Sequence, residues 1–173
     1  MPICDCGFPA FVPIQKPDGN VELQLGNQVL LFKGPTIQVE VGFETSLFAD
    51  PAQAQNIANS MAVGATQAGV FQTVEALVDT GAFESCIDEE LAASLNLPVI
   101  DRRKCSGVGG EHELDVYLGH IRIPSLSQIR WGQFVGAKLS VGGQPHKALI
   151  GRAHLQGMIL IYDGRAGTVT LSV

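Results

Sequence analysis

A chain of 173 residues, 46% hydrophobic and only 16% charged, holds enough material for one packed domain, too little for two ordinary ones, and is no disordered chain. The net charge of -6 excludes nucleic acid as the main partner, and the acidic residues are dispersed in the manner of an ordinary soluble surface. No apolar run approaches the ~20 residues of a membrane span. The start Met1-Pro2-Ile3-Cys4 lacks the basic and apolar regions of a signal peptide. The expectation is a cytoplasmic protein without a membrane partner, with Cys4, Cys6, Cys86 and Cys105 as reduced thiols.

Twenty glycines among frequent Val, Ile and Phe predict short strands joined by tight turns. Residues 1–33 read as a small β meander. Phe11–Ile14 and Val21–Leu25 flank the turn Lys16–Asn20, and Gly26-Asn27 leads into a third strand, Val29–Phe32. Cys4 and Cys6 lack the paired spacing of a zinc site, so no metal is expected. Thr36–Val41 alternates polar and apolar residues as a half-buried strand does. An insertion follows, about 44–72. There Asp50 is a good N-cap, Pro51 suits the first helical position, and Ala54, Ile57, Ala58 and Met61 share one face.

Next comes the run Leu77-Val78-Asp79-Thr80-Gly81-Ala82. A hydrophobic strand delivers one Asp, then Thr and Gly, into a tight turn, an order that suits a carboxylate held at the floor of a cleft. Two carboxylates sharing one proton can activate a water, one as base and one as acid. This chain has one such turn, so the second carboxylate comes most simply from another copy of the chain. Asp88 then caps a short helix, Glu89 and Glu90 suit its dipole, and Pro98 stops it. Glu113 to Ile123 reads as a strand with a bend near Gly119. Phe134–Val141 and Gln144–Ile150 read as a hairpin around Gly142-Gly143. Met158–Tyr162 and Thr168–Val173 read as closing strands. The apolar run Val169–Val173, unguarded by Lys or Pro, reads as an open edge that invites pairing with another chain.

Taken together, Glu75–Ala82 with the stretch to Leu95, the glycine-rich Cys105–Gly110, and Ala148–Arg152 resemble the active-site segments of the retropepsin-like aspartic proteases, in their order and roughly their spacing. The family is single-domain and homodimeric. The likeness spans 34–173 apart from the insertion, with 1–33 as an extension. It implies an all-β fold, a closed acid-protease barrel with one short helix after the catalytic loop, and a further helix in the insertion. It implies an aspartic endopeptidase, with Asp79, Thr80 and Gly81 as catalytic residues, no cofactor, and a peptide or protein as substrate. Thr80 would bond the loop of the second copy. Gly107, Val108, Gly109 and Gly110 would form a flap over the substrate. Ala82, Phe83, Ile150, Gly151 and Arg152 would line or back the cleft.

Two positions depart from the family pattern. Ala82 stands where pepsin-type enzymes carry Ser, which suits mildly acidic rather than strongly acidic conditions. Phe83 stands where viral members carry the Asp that pairs with the arginine corresponding to Arg152, leaving Glu84 as a substitute partner. These departures, with the insertion and extension, leave open a second reading, a dimerisation or peptide-binding domain with little hydrolysis. His112, His120, His146 and His154 fall in no Cys/His or Ser/His arrangement of useful spacing. Cys86 lies near Asp79 but in an apolar strand, where packing is the better reading than nucleophilic attack.

Overall fold

The computed structural model describes residues 2–47, 70–107 and 110–173. In chain order its elements are β1 (Ile3–Asp5), β2 (Phe11–Gln15), β3 (Val21–Leu25), α1 (Gly26–Lys33), β4 (Thr36–Gly42), β5 (Phe71–Val78) and β6 (Ser85–Asp88). There follow α2 (Glu89–Ser94), β7 (Val99–Gly107), β8 (Gly110–Ile123), β9 (Gln128–Ala137), β10 (Ala148–Ile150), α3 (Arg152–Leu155), β11 (Ile159–Asp163) and β12 (Thr168–Ser172).

Six strands close on themselves. They pair in the order β4, β5, β10, β6, β9, β8, and pairing of Glu40–Gly42 with His120–Arg122 returns β8 to β4. The result is an all-β closed barrel with few helices, and β7 extends it outward from β8. Closure removes the unpaired edges that an open sheet would carry. Alternation fills the interior: Ile37, Val39 and Val41 of β4, Val74, Ala76 and Val78 of β5, and Ile121 and Ile123 of β8 are all buried. Phe134 is fully buried, and it packs where Gly119 presents no side chain; a Cβ there would lie 3.3 Å from its ring. A second sheet, ordered β1-β12-β11, adds Val169 and Leu171 to the same core, together with Cys4 and Cys6. Burial, followed by the neighbouring Cys4, pushes the Cys6 thiol up to about 12.

Several expectations need correction. Val29–Phe32 is not a third strand but part of α1. The run has no alternation, and Gly26, Val29 and Leu30 fall on one buried helical face. Gly34 ends the helix at φ 73, its N–H returning to Leu30 O. The expected hairpin around Gly142-Gly143 is absent as a strand pair. The turn exists, with Gly142 N–H on Lys138 O, but β6 lies between β9 and β10 and bonds to both. The strand through Gly119 keeps its register with β9 from Val116 to Ile123.

The C-terminal strand is also not an open edge. β12 sits between β1 and β11, because Ile3–Asp5 pairs with Thr170–Ser172. The exposed apolar side chains lie on the flanking strands instead, at Ile3, Ile159 and Ile161. Asp88 does cap α2, accepting from Glu90 N–H. The helix expected from Asp50 lies outside the described residues. Among the described residues no helix is long and apolar enough to cross a membrane.

Candidate active site

β5 ends at Val78, and the barrel fixes what comes next. Val78 N–H donates to Pro35 O at 2.8 Å and Asp79 N–H to Ile150 O at 3.0 Å, so the chain leaves the sheet between β4 and β10. Asp79 is half-buried. Its Oδ1 accepts Gly81 N–H at 2.9 Å and Ala82 N–H at 3.2 Å, so the carboxylate closes its own turn. Gly81 sits at close quarters, since a Cβ there would come within 3.1 Å of Asp79 Oδ1.

The far side of the turn is braced by the start of α3. Arg152 Nη1 donates to Thr80 O at 2.6 Å and to Gly81 O at 2.9 Å. Arg152 N–H donates to Ala82 O and Ala153 N–H to Phe83 O, each at 3.0 Å. Gly151 allows this contact, because a Cβ there would stand 2.4 Å from Glu84 O. Every carbonyl from Thr80 to Phe83 thus has a donor on one short segment, 152–153. Glu84 is not the partner of Arg152. It pairs with Arg103 Nη2 on β7 at 3.0 Å, and the same nitrogen donates to Gln133 Oε1 at 2.8 Å. That cluster ties the middle of β7, where Arg103 pairs with Leu114 of β8, to the end of the turn.

Behind the turn lies a pair that spacing alone did not suggest. Ser85 Oγ and His154 Nδ1 are 2.8 Å apart, although 69 positions separate them. Gly151 N–H donates to the same Oγ at 3.0 Å. Both side chains are buried. Burial, then the Arg130 charge, lowers His154 to about 4, so the imidazole is neutral near pH 7. The closed setting excludes Ser85 as a nucleophile, since nothing can reach its oxygen.

Two grooves flank the turn. One of about 520 Å³ runs past Phe83, Glu84, Trp131 and Gln133, and another of about 460 Å³ past Thr80, Phe83, Leu155, Met158 and Leu160. Phe83, 67% exposed, lines both. Asp79, Thr80, Gly81, Ala82, Phe83, Gly151 and Arg152 therefore meet in one place. Ile150 lines neither of these two grooves; it is buried in the barrel core and contributes its carbonyl. Gly107 and Gly110 pair as the last rung of the β7–β8 hairpin, while Val108 and Gly109 lie outside the described residues. Arg103, Ser85 and His154 went unassigned in the sequence, because only the folded barrel brings them to this turn. Among the described residues no cluster of His, Cys, Asp and Glu is placed to hold a metal ion.

The aspartyl protease family model matches residues 63–153, just over half of the chain and including the whole turn from Asp79 to Phe83 with its Arg152 brace. No curated protein matches the chain.

Proposed function

The chain belongs to the aspartyl protease family, and from that premise we propose that it is a homodimeric aspartic endopeptidase whose water is activated by two Asp79 carboxylates, one from each copy. Residues 34–173 form the protease unit and 1–33 an extension of it. The observation that carries this reading is the Asp79 turn itself: a single carboxylate, half-buried, held by its own turn amides and cross-braced by Arg152. One turn supplies one carboxylate, and the chemistry needs two.

Two carboxylates a few ångströms apart cannot both ionise cheaply, so the pair shares one proton. The ionised member takes a proton from the water while the water oxygen attacks the scissile carbonyl carbon. The protonated member gives its proton to the carbonyl oxygen. Collapse of the resulting diol breaks the C–N bond, and the amine nitrogen leaves with a proton, giving a free acid and a free amine. No covalent enzyme intermediate forms.

Thr80 meets the loop of the second copy, and the β7–β8 hairpin covers an extended peptide through its backbone. Exposed Phe83 selects apolar side chains. The thiols of Cys4 and Cys6, which are in no disulfide, fit a reducing compartment such as the cytoplasm.

The test is cleavage of a diverse peptide library, from mildly acidic to neutral pH, by the wild type and Asp79→Asn. Cleavage that disappears in the variant while both proteins stay dimeric supports the reading. A well-folded dimeric wild type that cleaves nothing moves it to a peptide-binding or dimerisation domain.

A further inference from the structure

We propose that the buried Ser85–His154 pair is a positioning device for the Asp79 turn, setting the place of Arg152 beneath the carbonyls of Thr80 and Gly81. The inference rests on the protease reading in taking that turn as the catalytic one. Its support is the order of contacts along three successive residues. Gly151 N–H is held by Ser85 Oγ, Arg152 holds the carbonyls of Thr80, Gly81 and Ala82, and Ala153 N–H holds Phe83 O. The first contact fixes where the next two fall. Ser85 is itself fixed, being the first residue of β6 and paired with Phe134 of β9.

The hydrogen-bond accounting explains why the partner is a histidine. A serine hydroxyl has one proton. With Gly151 N–H on one lone pair, that proton is free to donate to His154 Nδ1, provided Nδ1 is unprotonated. His154 Nε2 then carries the hydrogen and faces Gly132, where a Cβ would lie 2.7 Å away. Among the described residues it finds no partner. An apolar residue would avoid that orphan nitrogen, so the imidazole is kept at a cost in stability.

Donation from the Ser85 hydroxyl to Nδ1 requires a neutral ring. A protonated ring presents N–H at Nδ1 and takes away the acceptor of the Ser85 hydroxyl. The surroundings favour the neutral form: Phe134 of β9 packs at 4.8 Å, and Arg130 of β9 donates to His154 O at 3.2 Å. Glu84, the acidic group lining the same groove, is occupied by Arg103, and Arg152 on the same helix points to the turn.

The experiment compares amide hydrogen exchange and peptide cleavage in wild type, Ser85→Ala and Ser85→Thr. The expected result for Ser85→Ala is a loss of protection of about tenfold at Asp79, Gly81, Ala82 and Arg152, with β4 and β8 unchanged. With it goes a fall in kcat at little-changed KM, and Ser85→Thr, which keeps the hydroxyl, restores both. In the wild type, protection of the Asp79 and Arg152 amides, whose acceptors are the carbonyls of Ile150 and Ala82, falls as pH drops toward about 4, a measurement that needs no variant should Ser85→Ala fail to fold. Unchanged protection at the turn, or a uniform loosening of the whole barrel, overturns the proposal. Exchange is read without substrate, so an inactive wild type contradicts the protease reading while the exchange pattern still decides what the Ser85–His154 pair does.

Discussion

The turn after β5 and the turn between β2 and β3 are both tight reversals after an apolar strand, yet they are held in opposite ways. The β2–β3 turn is held by its own residues: Lys16 N–H to Asn20 O, Gly19 N–H to Lys16 O, Asn20 N–H to Asp18 Oδ1. Its hairpin leaves Phe11, Val21 and Leu23 exposed. The Asp79 turn has a local part, the bonds to Asp79 Oδ1, and a distant one: its carbonyls are held by residues about seventy positions away, themselves held by Ser85. A local turn fixes a reversal of the chain. A turn held from across the barrel fixes the position of a side chain, which is what catalysis by a carboxylate demands.

The sharpest way to test the contrast is to remove function from the braced turn without loosening it. Asp79→Asn keeps an acceptor for the Gly81 and Ala82 amides, so the melting temperature should hold while peptide cleavage drops about 10²–10⁴-fold. Parallel loss of fold and activity would break the contrast.

Acid should act next, and on the braced side. The His154 ring titrates near 6.5 when unfolded and near 4 when folded. Between these values the unfolded chain binds more protons, so stability rises with pH there and falls as pH drops. At 1.36 kcal/mol per unit, charging this ring removes on the order of 3 kcal/mol by the time pH passes below 4. His120 and His146 are lowered by burial and act in the same direction. Urea melts across the pH range read this out. A flat profile from neutral to pH 4 would contradict it.

A smaller effect comes from crowding the brace. Gly151→Ala places a Cβ against the backbone of Glu84, and should cost about 1–3 kcal/mol by thermal melting. Smallest of all are Leu23→Ser and Phe32→Ser in the exposed segment, 66% and 85% accessible, which should stay within about 0.5 kcal/mol. A loss well beyond that would mean that the segment is covered in solution.

The parts legible in the sequence are those written in covalent order. Asp79, Thr80 and Gly81 follow one strand without a gap, and Gly151 and Arg152 follow another that ends at Ile150, so placing the strands side by side places both ends. What stayed hidden depends on which strand slides between two others. β6 separates β9 from β10, which undoes the expected Gly142-Gly143 hairpin and also carries Ser85 to His154. β1, only three residues long, covers an edge that looked open at Val169–Val173. Val29–Phe32 misleads for a simpler reason: four apolar residues in a row have no period, so burial of Val29 and Leu30 decides for helix.

The most direct measurement is a mixing titration. Wild type and Asp79→Asn are combined, allowed to exchange subunits, and assayed on a peptide the wild type cleaves. If each site takes one Asp79 from each copy, an equal mixture should retain about a quarter of the activity of the same total amount of wild type, because only that share of dimers has two wild-type chains. Retention of about half, linear in the wild-type fraction, would mean that each chain works alone and would contradict the shared dyad.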